Sequence, residues 1–185
     1  MYFMSLQDII KKNRKAILDR CFDLIAATYP PETSQLLKQE KDRFLNPVGH
    51  TLRHEIKIIF DELAGHMDVN KLNTALENII KIRAVQEFAA SEAVGFIFHI
   101  KKAVTEITCG TEQKEGFKDR WLKEAESQEG RRSENNETGI IYEFFEFEQR
   151  IDKLALMAFD IYMQCREKIH EIKAKGLNLK VNYGK

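Results

Sequence analysis

Along most of the chain apolar residues recur every three or four positions, and strand-like alternation is confined to the L-x-L-x-V of the last ten residues. The expected fold is all-α. Over residues 5–28, Leu6, Ile10, Ile17, Cys21, Leu24 and Thr28 share one stripe; Ser5 and Asp8 make a capping box, Met4 and Ile9 offer a staple across it, and Tyr29-Pro30-Pro31 ends the helix. A shorter helix is expected over 33–44. Asn46-Pro47 then joins an N-cap residue to a proline at the first helical position, so the next helix begins at Pro47, turns Val48, Leu52, Ile56, Ile59 and Leu63 inward, and stops at Gly65. Asp68 caps a helix with Leu72, Leu76, Ile79 and Ile80 inward. Ser91 caps another with Ala93, Ile97, Ile100, Val104 and Ile107 inward, ending near Gly110.

Residues 111–127 carry only a narrow apolar strip (Phe117, Trp121, Leu122), and 128–139 carry none, which predicts a mobile loop there. From Ile140 the pattern is the most regular in the chain: Ile140, Phe144, Phe147, Ile151, Leu154, Ala158, Ile161 and Cys165 step as a heptad seam. This helix is expected to run to about Ala174, with Gly176 stopping it and 176–185 a flexible tail. Ala155, Leu156, Met157, Phe159, Tyr162 and Met163 widen the stripe until its middle is apolar nearly all round. Such a helix is either central in its domain or shared with a second chain, and a projecting helix favours the second. The expectation is a homodimer with Ile151, Leu154, Ala158, Ile161 and Cys165 on the interaction helix. Residues 1–175 read as one helical domain, bundle-like or globin-like.

The chain has 185 residues, room for one core, and its 29 basic and 29 acidic side chains cancel. A zero net charge argues against a nucleic-acid binder and against a basic membrane-surface protein. Three scattered cysteines without a C-x-x-C pair, no apolar leader and no long uncharged apolar run predict a soluble cytoplasmic chain with reduced thiols. Neither G-K-[ST] nor G-x-S-x-G occurs, and His54-Glu55 opens a zinc-protease motif whose second histidine is missing. No catalysis, cofactor or metal is therefore expected.

Four residues carry candidate chemistry. His50 and His54 lie one turn apart but on the face opposite the apolar stripe, so they are expected outside and metal-free. Arg83 continues the inward row of Leu72, Leu76 and Ile79, so a guanidinium is aimed at the core and must find carbonyls, the carboxylate of Glu92 or a ligand. His99 flanks its helix's apolar stripe, one turn from the small residues Gly95 and Ala103. Arg83 and His99 are thus the candidate ligand-binding pair, for an anion or for haem.

Residues 44–101 resemble the N-terminal domain of the RsbRD family, the sensory half of RsbT co-antagonist proteins. Asn46-Pro47-Val48-Gly49 matches its N-P-V-G helix entry, and the run Ile82–Lys101 matches I-R-A-V-Q-x-F-x-x-S-x-A-V-G-F-x-F-x-x-K. The segments 150–156 and 158–167 are similar to the C-terminal helix of short, stand-alone members. The resemblance implies a helical, non-catalytic input domain, related to non-haem globin-like modules that sit as dimers above phosphorylatable output domains in stress-signalling complexes. The ten or so residues after the long helix leave no room for a STAS output domain, so the expectation is a free-standing sensor acting through a regulatory protein partner. The alternatives are a ligand- or haem-binding sensor and an adaptor docking on a membrane or redox complex.

Overall fold

The computed structural model describes residues 5–40, 42–109 and 137–182, and every regular element among them is helical. In chain order they are α1 (Leu6–Lys12), α2 (Arg14–Ala26), α3 (Pro31–Gln39), α4 (Pro47–Leu63), α5 (Val69–Val85), α6 (Ala90–Cys109) and α7 (Glu137–Asn182). Five of them close a ring in which α4 packs on α5, α5 on α7, α7 on α6, α6 on α2, and α2 back on α4. The inward stripes meet inside this ring, where Ile17, Ile25, Leu52, Ile59, Leu76, Ile79, Phe96, Ile100 and Leu154 are all buried. Short α1 touches α2, α6 and α7, and α3 covers α2 and α4.

Helix ends depart from the sequence reading where a side chain intervenes. The first stripe is interrupted at Asn13, whose side-chain amide donates to the Ile9 carbonyl at 3.0 Å, a local bond that competes with helix continuation. α3 starts at Pro31 rather than Thr33, because proline suits the first helical turn. It stops at Gln39 rather than Phe44, because Asn46 captures its terminal carbonyls: Nδ2 donates to the carbonyls of Leu36 (3.3 Å), Leu37 (3.2 Å) and Glu40 (2.9 Å). The Oδ1 of the same buried side chain accepts from the Gly49 N–H at 2.8 Å and caps α4. A Cβ added at Gly49 would lie 2.3 Å from Asn46 Nδ2. The N-P-V-G string is thus a double helix cap with a glycine that makes room for it.

At the other end of α4, Arg150 reaches across from α7 and donates to the carbonyls of Leu63 (3.0 Å) and Gly65 (2.9 Å). α6 begins one residue before Ser91. Its entry is closed by Glu92, whose carboxylate accepts from the Ala89 N–H at 3.1 Å, half of a capping box. α5 ends in a Schellman turn, with Phe88 N–H on the Arg83 carbonyl and Glu87 N–H on the Ala84 carbonyl. Glu87 occupies the left-handed position at φ 61°, where glycine is the usual residue. Glu87→Gly is expected to stabilise the fold by about 0.5 to 1 kcal/mol, read as a higher thermal midpoint.

α7 starts at Glu137, three residues before the expected Ile140, and continues through Gly176 to Asn182. A glycine stops a helix only where the chain turns left-handed after it; between helix-forming neighbours it costs about 1 kcal/mol and is passed over. Phe147, Ile151, Leu154, Ala158 and Ile161 are buried in the chain's own core, with Phe144 and Cys165 packed partly against it. The regular seam is therefore occupied within the chain. The face open to another protein is not the one that Ile151, Leu154, Ala158 and Ile161 form. The Met4 staple, the Phe117–Leu122 strip and the loop over 128–136 lie outside the described residues.

Candidate functional site

The inward row of α5 delivers Arg83 to the junction of α2, α5 and α6, where it is fully buried, as its position on the stripe predicts. One terminal nitrogen donates to the Glu92 carbonyl in the first turn of α6 (2.8 Å), the other to the Thr28 hydroxyl just past the end of α2 (2.9 Å). Thr28 in turn donates to the Ile25 carbonyl at 2.7 Å, so the guanidinium faces the partial negative charge at the C-terminus of α2. The rings of Phe88, Tyr29 and Phe96 surround its central carbon at 4.8, 5.4 and 5.5 Å from their centroids. No carboxylate pairs with it among the described residues; that of Glu92 is turned away to cap α6. Burial lowers the guanidinium's pKa, yet arginine stays charged at any working pH.

Among the described residues no well-formed hydrogen bond reaches Arg83 Nε or the Tyr29 hydroxyl, both buried, although the hydroxyl lies close enough to the guanidinium to interact with it electrostatically. Burial also pushes the Tyr29 phenol's pKa up. The cluster adjoins the α5–α6 connector, which contributes Phe88, and the connector is tied to α7: the Tyr162 hydroxyl donates to the Phe88 carbonyl at 2.7 Å, and Lys173 pairs with Glu87 at 3.2 Å.

His99 is half-buried on α6, one turn after Gly95, where an added Cβ would meet nothing within 4 Å. Burial, and then the positive charges of Arg83 and Lys102, depress its pKa. A histidine depressed in the folded state binds its proton more readily when unfolded, so its share of stability is complete above the ordinary histidine pKa and is lost as pH falls below it. His99→Gln is expected to flatten the decline of unfolding free energy between about pH 7 and 5. Denaturant titrations at stepped pH check this, and an unchanged slope would count against it.

The other candidates are placed as follows. His50 and His54 are exposed and stacked, 6.5 Å between ring centroids, with His54 Nδ1 3.4 Å from Glu55. Among the described residues no group of three or more His, Cys, Asp or Glu side chains is placed to hold a metal ion. A groove of about 470 Å³ between α4 and α5 is lined by Glu55, Asp61, Glu62 and Lys71, whose charges are already engaged: Arg14 holds Asp61, Lys71 holds Glu62, and Asn78 donates to Glu55 at 2.9 Å. Burial pushes the Cys21 thiol up to about 12, which leaves it unreactive. No described helix is long and apolar enough to cross a membrane.

Sequence reasoning placed Arg83 and named a carbonyl and Glu92 among its partners, though Glu92 meets it through the backbone carbonyl and not the carboxylate; it missed Thr28 and Tyr29. Thr28 read only as the end of an apolar stripe and Tyr29 only as part of the Tyr-Pro-Pro stop, and their one signal was a hydroxyl on each at the helix end. Tyr162 and Arg150, which hold the connector and the end of α4, gave no local signal.

The model of one family, described as the RsbT co-antagonist protein rsbRD N-terminal domain, matches residues 15–175. No curated protein and no solved structure matches the chain.

Proposed function

Because this chain belongs to the RsbRD N-terminal domain family, we propose that it is a non-catalytic cytoplasmic sensory domain that regulates stress-response signalling through protein contacts. The observation that carries this reading is the extent of the match, from α2 to the exposed part of α7. A physical route supports it: a buried guanidinium packed beside the α5–α6 connector, and a long helix hydrogen-bonded to that connector. The test is a stress-responsive transcriptional reporter in the native host. Deletion of the gene is expected to change the reporter's response to salt or ethanol, restored by the wild-type chain and not by Tyr162→Phe. A reporter indifferent to the deletion would overturn the regulatory role.

A second reading, a sensor that binds a small ligand at Arg83 and His99, is favoured by Arg83 Nε and the Tyr29 hydroxyl, which lack a well-formed hydrogen bond among the described residues. A ligand with a carboxylate or similar acceptor would satisfy both. Saturable thermal stabilisation by formate or acetate at constant ionic strength, lost in Tyr29→Phe, would support this reading. Haem as the ligand would show as a visible absorbance band abolished in His99→Ala.

A further inference from the structure

The α5–α6 connector, residues 86–89, holds a side chain that its backbone does not suit. Glu87 sits at φ 61° in the turn that closes α5, where a Cβ is strained and glycine is not. It is also exposed, so packing does not account for it. What the side chain does is reach α7, where its carboxylate accepts from Lys173 Nζ at 3.2 Å. Lys173 stands beyond Ile169, the last α7 side chain packed on the core. Its own helix offers it no acid one turn away, since positions 169, 170, 176 and 177 are Ile, His, Gly and Leu. Among the described residues each is the other's one ion-pair partner.

The connector is thus fastened to α7 twice, and the two fasteners differ in what breaks them. Tyr162 is 5% exposed, and its bond to the Phe88 carbonyl joins neutral groups, which dissolved ions barely affect. The side chains of Glu87 and Lys173 are 72% and 60% exposed. An ion pair so open to water loses its attraction as the screening length falls from about 8 Å at physiological ionic strength to about 3 Å at 1 M, which is the separation of the pair. We propose that the connector is a strap buckled to α7 by Glu87 and Lys173, and that rising ionic strength unbuckles it. A glutamate occupies a glycine position because its carboxylate is the buckle. What the strap carries is Phe88, whose ring centroid lies 4.8 Å from the central carbon of the Arg83 guanidinium and 5.2 Å, edge-on, from that of Tyr29. With the buckle open, only the Tyr162 bond and the packing of Phe88 hold the connector down, and its turn opens more often. The strap does not depend on the regulatory reading above and fails or stands separately.

Amide hydrogen exchange of the full chain, read by mass spectrometry on peptides spanning residues 84–90, tests it, because the N–H groups of Gln86, Glu87 and Phe88 are protected by the bonds of this turn. In the wild type these amides are expected to exchange about two- to fivefold faster in 1 M than in about 0.05 M sodium chloride. Glu87→Gln keeps the side chain and removes its charge; it and Lys173→Met are each expected to exchange at the faster rate at both salt concentrations, and the double variant no faster than either. Exchanging the charges, Glu87→Lys with Lys173→Glu, is expected to restore both the protection and its salt dependence. Glu87→Gly separates the buckle from the strain: its thermal midpoint is expected to rise while the salt dependence of exchange disappears. Circular dichroism of each variant confirms the fold. A wild-type connector indifferent to salt, a salt dependence that persists in Glu87→Gln, or single variants whose effects simply add would overturn the proposal.

Discussion

Arg83→Ala is expected to lower the free energy of unfolding by about 2 to 4 kcal/mol, a drop in thermal midpoint of roughly 5 to 15 °C for a chain of this size. The truncation removes two bonds from a charged donor, to the Glu92 carbonyl and the Thr28 hydroxyl, and leaves three aromatic rings around a void. Arg83→Met separates these contributions. It keeps much of the volume and removes the buried charge, so if packing dominates it should cost under about 1.5 kcal/mol. If it costs as much as alanine, the polar contacts between α2, α5 and α6 are what Arg83 supplies. Chemical denaturation of the three proteins, with the slope checked for constancy, gives the comparison.

Asn46→Ala is expected to cost about 2 to 3 kcal/mol, more than an ordinary N-cap, because one side chain closes α3 and opens α4. Asn46→Asp is the discriminating variant. Aspartate is as good an N-cap acceptor as asparagine, yet here it would turn a carboxylate oxygen toward three backbone carbonyls. It should therefore be at least as damaging as alanine. Gly49→Ala should fall in the same range, since its methyl group would occupy the space of the Asn46 amide. A well-tolerated Asn46→Asp would mean that the bonds to α3 contribute little.

The periodic features were legible in the sequence. Asn46 and Asp68 open the helices they were assigned, the inward rows of α4, α5 and α6 are buried except for the partly buried Val48 and Ile107 at their ends, and Arg83 is in the core because the row that contains it is. Contacts that depend on tertiary register were not legible. Arg150 closes α4 from 85 positions away, and Thr28 meets Arg83 from 55; neither relation leaves a local pattern. The interaction row of α7 failed for a related reason. The most regular heptad was assigned to a partner, but regularity marks whichever surface is most fully buried, and the chain's own α5 and α6 bury it. The apolar residues that widened the stripe, Leu156, Phe159 and Met163, carried the information about what lies outside.

The bond from the Tyr162 hydroxyl to the Phe88 carbonyl also has a mechanical meaning. After Ile169, the last α7 side chain packed on the core, residues 170–175 are exposed along their whole circumference. Helical backbone extends about 30 Å from Tyr162 to Asn182. Beyond the last core contact at Ile169 the arm is about 20 Å long, so a tilt of about 10° there would carry its far end by about 3 Å. A displacement of the connector too small to disturb the packing of Arg83 is multiplied along that arm.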